Sequence, residues 1–140
     1  MSNFSEFLSA QSLLLLRTIY VANILLAGNV GWISLFDPNR ATAVVFSETT
    51  AANIPTGVVG SFWLTIALLS VAGLFSPVRF SVVLLVQLIY KGMWLLAVAV
   101  PAILANRIDL IPIGMTVSFL IWVIILPFVI PFRLLFSSAI

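Results

Sequence analysis

Prolines and a few scattered charges divide the chain into four apolar runs, at about 12–36, 56–75, 78–100 and 111–131. Each approaches or exceeds the roughly 20 residues that an α-helix needs to cross the hydrocarbon of a bilayer. Only 7% of the residues are charged, and mean hydropathy is +1.29. Soluble domains devote about a quarter of their residues to charge, so this chain cannot cover a folded surface for water. The sequence therefore predicts an all-α transmembrane domain over 1–140. It is a four-helix bundle running up-down-up-down, because short connections place consecutive helices side by side.

The connections carry the stop signals. A short lead over 1–11 places Phe4, Phe7 and Leu8 at helical spacing, suited to the membrane interface. Arg17 lies within about a turn of the first span's start and can snorkel to the headgroups. Trp32 and Phe36 mark the far interface, and Asp37-Pro38-Asn39 ends the run, since proline disfavours helix in the residue before it. The 39–55 connection is the longest. Its apolar part, Ala41 to Phe46, is too short to span and is expected to lie on the membrane as a short helix or to pack over the bundle. Ser76-Pro77 predicts a tight turn between antiparallel neighbours. Pro101 to Leu110 forms the third connection, and Pro127 and Pro131 are expected to bend or end the last helix. Glu6 and the lack of an early basic cluster lead us to expect that the first helix is retained.

Basic residues near the span ends set the orientation. Arg17, Arg79 and Arg133 fall on one side, Arg40 and Arg107 on the other. Both termini are expected in the cytoplasm.

The chain has no cysteine and no histidine. That excludes disulfides, thiol redox chemistry, Cys/His zinc sites and imidazole acid–base catalysis. Histidine-ligated haem or chlorophyll is excluded as well, although a (bacterio)chlorophyll could be held by a backbone carbonyl, Asn, Gln or water; a carotenoid has no metal to ligate. There is no phosphate-binding glycine loop and no basic patch for nucleic acid. Asp37, Glu48 and Asp109, with Arg40 and Arg107, read as caps and surface ion pairs. The chain is not expected to be an enzyme.

One residue stands against this background. Lys91 lies near the middle of the third run, nine residues before Val100, about 13 Å from the outer boundary. A lysine at such depth costs roughly 3 kcal/mol or more and needs a partner, a wet cavity or a route to the surface. Gln87 is one turn away on the same face. Asn29 matches Lys91 in depth and Asn23 matches Gln87, but the two asparagines sit about 120° apart around their helix. A polar seam of Lys91, Gln87 and at least one asparagine is expected between the first and third spans. It is a candidate site for an anionic or quinone headgroup, or a lipid headgroup. Hydrogen-bonded glue between helices, or a lysine snorkelling outward past Trp94, would account for the same residues. Small residues form a second pattern. Ala27, Gly28, Gly31 and Ser34 on the first run, Thr56, Gly57, Gly60 and Ser61 on the second, and Gly114 and Ser118 on the fourth allow close helix approach. They serve packing within the bundle or docking onto another membrane subunit.

At Gly28-Asn-Val-Gly-Trp-Ile-Ser-Leu-Phe-Asp-Pro, and again at Ile89-Tyr-Lys-Gly-Met-Trp, the chain resembles the DoxX-like group of small bacterial four-helix membrane proteins. The resemblance covers the first three spans loosely. It implies a four-helix bundle in a bacterial inner membrane, with quinone or redox partners among some relatives. Two functions are weighed. The first is a non-catalytic accessory subunit of a larger respiratory or photosynthetic membrane complex, holding lipid, quinone or pigment beside other membrane subunits. The second is a binder or transporter of a small lipophilic or anionic ligand at Lys91, Gln87, Asn29 and Asn23.

Overall fold

The computed structural model describes residues 2–49 and 54–137, with side chains from residue 10 to residue 136. The expectation for Phe4, Phe7 and Leu8 lies outside the described side chains. Among the described residues the fold is all-helical. Its elements are α1 (Ser2–Phe36), α2 (Pro38–Val44), α3 (Ile54–Phe75), α4 (Val82–Trp94), α5 (Val100–Leu104), α6 (Ile113–Val129) and α7 (Phe132–Ser137). A wide turn, Leu95–Ala99, joins α4 to α5, so that Val82–Leu104 is one continuous helical rod. Three stretches are long and apolar enough to cross a membrane: Ala10–Phe36, Ile54–Phe75 and Val82–Leu104. The α6 helix is equally apolar but has 17 residues, about 25 Å at 1.5 Å per residue.

Prolines decide where the helices differ from the sequence expectation. Pro101, expected to open a connection, lies inside the rod. It has no N–H to give Ala97, and its ring crowds that carbonyl in a regular α-helix. The wide turn before it relieves the conflict: Val100 N–H reaches back five residues to Leu95 O. The rod then ends in a Schellman cap. Arg107 N–H bonds Ala102 O and Asn106 N–H bonds Ile103 O, with Asn106 at φ 54°, a conformation asparagine tolerates better than most residues. The third run also starts late. Residues 78–81 belong to the turn after Pro77, closed by Ser81 Oγ donating to Val78 O at 2.6 Å, and α4 begins at Val82. On α6, Pro127 stays within the helix. Pro131 ends it by forcing Ile130 into an extended conformation (ψ 122°).

The α1 and α3 helices pack antiparallel along most of their length. Gly31 and Gly60 allow it. A Cβ on Gly31 would sit 2.6 Å from Leu64 N, and one on Gly60 2.6 Å from Leu35 N. Nothing larger than hydrogen fits where the two backbones cross. Nearer the other end, Tyr20 lies flat over Gly73 and donates from its OH to Pro77 O at 2.7 Å. This ties α1 to the α3–α4 turn. The α4 helix turns its other side to α6, with Leu84 meeting Trp122, Leu126 and Ile130 in one apolar core together with Leu16 and Tyr20. A second core gathers Ala41, Phe46, Trp63, Ile66, Val83 and Phe119. Helix α2 therefore packs onto the other helices. Asp37 caps it by accepting from Arg40 N–H, and Phe46 stacks on Trp63 with ring centroids 6.0 Å apart.

The glycine crossing gives a direct test. Gly31→Ala or Gly60→Ala puts a methyl into a backbone and is expected to cost about 1–3 kcal/mol, lowering the melting temperature in detergent by several degrees. Gly57→Ala, whose Cβ would meet nothing within 4 Å, should leave it unchanged or slightly raised. Equal melting temperatures for the Gly60 and Gly57 variants would refute the close crossing.

Candidate functional site

Lys91 is 5% exposed, although no carboxylate lies near it among the described residues. A helical side chain leans toward the N-terminus of its helix. Lys91 does so, and Nζ donates to Gln87 Oε1 at 2.6 Å. The snorkelling route past Trp94 is therefore not taken. The bond also stays within α4, so it does not fasten two helices. The contacts between helices are aromatic. Nζ lies 4.5 Å from the Trp122 ring centroid, 5.5 Å from that of Tyr90 and 5.7 Å from that of Phe119. Each ring face carries partial negative charge, and a desolvated contact of this kind is worth up to about 2 kcal/mol.

The rings are themselves braced. Trp63 Nε1 donates to the Tyr90 hydroxyl at 3.2 Å. Phe119 meets Tyr90 and Trp94 edge to face, with centroids 5.7 and 5.4 Å apart. Helices α3, α4 and α6 thus hold the ammonium through a set of interlocked aromatic side chains.

This cluster forms one wall of a chamber of about 220 Å³. Asn23, Ala27 and Val30 of α1 face it, and Val44, Val45 and Ser47 close one end. Ser47 and the next residue, Glu48, both hold positive φ, at 50° and 58°, a costly conformation for residues with a Cβ. Asn23 is 1% exposed and Gln87 is fully buried. Asn23 Nδ2 and Gln87 Nε2 have no hydrogen-bond partner. A buried donor left unpaired costs about 1–3 kcal/mol. The chamber is thus rich in donors. Lys91 has N–H groups to spare after its bond to Gln87, the Asn23 amide in the lining is unspent, and the lining includes no Asp or Glu.

The candidate residues thus have distinct places. Lys91 and Asn23 line the chamber, and Gln87 stands behind Lys91. Asn29 is exposed at the rim. Of the small residues, Gly28 touches Ala67 through its would-be Cβ at 3.4 Å, and Gly31 and Gly60 form the crossing. Gly57 and Gly114 stand in open space, and half-buried Ser118 lines the chamber beside Gly114. The sequence reading missed the ring cage of Tyr90, Phe119 and Trp122. The spacing of Phe119 and Trp122, three apart and so on one face of α6, was the available signal. No group of His, Cys, Asp and Glu that could hold a metal ion occurs among the described residues.

Comparison with known protein families, with curated proteins and with solved structures finds no match.

Stability separates the roles of Lys91 and Gln87. Gln87→Leu leaves a buried ammonium without an acceptor and is expected to cost about 3 kcal/mol or more. In the double variant Lys91→Met, Gln87→Leu both partners become apolar, and most of that loss should return. Melting in one detergent measures both. A double variant no more stable than Gln87→Leu would show that the buried charge is not what strains the single variant.

Proposed function

We propose that the chain is a polytopic membrane protein, a four-helix up-down-up-down bundle with both termini in the cytoplasm, that binds a small lipophilic molecule through an acceptor-bearing head. The observation that carries this reading is the donor-rich chamber: a lysine with spare N–H groups, the unpartnered Asn23 amide and no acid in the lining. A phosphate, carboxylate or carbonyl oxygen in the chamber would accept from Lys91 and Asn23. The embedding is supported by the three membrane-length helices and by a surface of exposed apolar side chains such as Leu25, Leu68, Leu96, Ile124 and Phe128.

The alternative of a structural accessory subunit drew on small-residue faces for docking. Of the glycines named for it, Gly28, Gly31 and Gly60 are occupied within the molecule, which leaves that role Gly57 and Gly114.

Binding is tested by purifying the protein from its membrane in mild detergent and identifying co-purified small molecules by mass spectrometry. The wild type should carry a molecule with an acidic or carbonyl head, and Lys91→Met should lose most of it. Equal occupancy in the two proteins would remove the reading. Orientation has its own test, since the chain has no native cysteine. Ser76→Cys, in the exposed α3–α4 turn, should react with an impermeant thiol reagent only after the cells are opened. Reaction in intact cells would invert the topology.

A further inference from the structure

Beside the chamber runs a second cavity, an apolar groove of about 370 Å³. Its walls are Ile19, Ala22 and Leu26 of α1 and, on α6, Val117, Ile121 and Ile125. Leu26, Gly114, Ser118 and Trp122 belong to both cavities, so the groove and the chamber are continuous. The reason lies in the packing. α1 lies along α3 and α4 along α6, while α1 and α6 barely meet. The residues where the chamber opens, Leu26 and Asn29 on one side and Gly114 on the other, are exposed. They face outward from the α1–α6 seam. The chamber's end is covered by the segment after α2, anchored by Phe46 on Trp63.

We propose that chamber and groove form one site for a single-chain amphipathic anion, which enters sideways from the bilayer, sets its oxyanion head against Lys91 and lays its hydrocarbon tail between α1 and α6. The proposal rests on the head-binding role given to Lys91 above. Charge complementarity selects an anion. The ammonium has aromatic faces and one amide oxygen around it but no counter-charge, and a buried cation is stabilised most by an ion pair that also spends its N–H groups. The unpartnered Asn23 Nδ2, on the α1 side of the same chamber, supplies a further donor. Depth selects a single chain. Lys91 is nine residues from Val82 and thirteen from Leu104, about 14 and 20 Å along the rod. A head at that depth lies near the middle of a hydrocarbon layer about 30 Å thick. A two-chain phospholipid would have to carry its glycerol and both chains there, whereas a carboxylate or a phosphate monoester on one chain needs only the small chamber.

The test uses the full chain in phosphatidylcholine vesicles, with dibromostearate as the probe. Bromine quenches tryptophan fluorescence on contact, and Trp122 lines both cavities. Saturable quenching is expected, absent in Trp122→Phe and weakened about tenfold or more in Lys91→Met, the loss of one charged hydrogen-bonding partner. Methyl dibromostearate, with the same tail and no charge, should not saturate. Val117→Phe, which narrows the groove from an exposed position, should weaken the acid. Wild-type affinity in Val117→Phe would overturn the tail route. Equally saturable quenching by a dibrominated two-chain phosphatidic acid would overturn the single-chain assignment. If dibromostearate fails to bind while co-purified material still depends on Lys91, the ligand class is wrong and the head-binding reading stands. If neither depends on Lys91, both fall.

Discussion

Where α1 and α3 cross at Gly31 and Gly60, two backbones touch with no side chain between them. In the membrane setting proposed for this chain, water would drive no association between apolar helices, and close packing of this kind would be a principal source of cohesion. The consequences spread outward. With α1 committed to α3 along its length, and Tyr20 tied to the α3–α4 turn, α1 has little surface left for α6. The α6 helix packs on α4 instead. Among the described residues the seam between α1 and α6 is therefore poorly closed, and the chamber opens there.

Lys91 is the complement of that arrangement. The crossing is satisfied entirely by atoms of the fold, whereas the chamber is not. Its ammonium is received by three ring faces and one amide oxygen, and its nearby amide nitrogens are unspent. Proteins bury polar groups with their hydrogen bonds made, so an incomplete set surrounded by well-packed aromatic side chains marks a place where the fold's own demands do not account for the residues.

Hydropathy located the apolar helices, with the third displaced by four residues at each end, because long apolar runs broken only by proline and charge bury their backbone hydrogen bonds most simply as helices. The pairing of Lys91 with Gln87 was legible for a similar reason: residues four apart share a helix face whatever surrounds them. The ring cage was not legible, since Tyr90, Phe119 and Trp122 come together only through the packing of α4 on α6. Asn29 matched Lys91 in depth, but depth says nothing of rotation about the helix axis, and its side chain is exposed at the rim. The rule that proline ends a helix served at Pro131, where Ile130 turns extended. It misplaced Pro101, where the wide turn spends an extra residue to keep the helix going.

That wide turn has a consequence for how such a helix changes over generations. The additional residue in Leu95–Ala99 and the ring of Pro101 are each a defect in a regular α-helix, one rotating everything beyond it and the other blocking a hydrogen bond. The wide turn removes the clash that the proline would make with the preceding turn, and the helix continues through Pro101. The two features are thus bound as a pair. A lineage that lost the proline alone would carry an unneeded residue, and one that deleted the residue alone would swing the far end of the rod by about 100°.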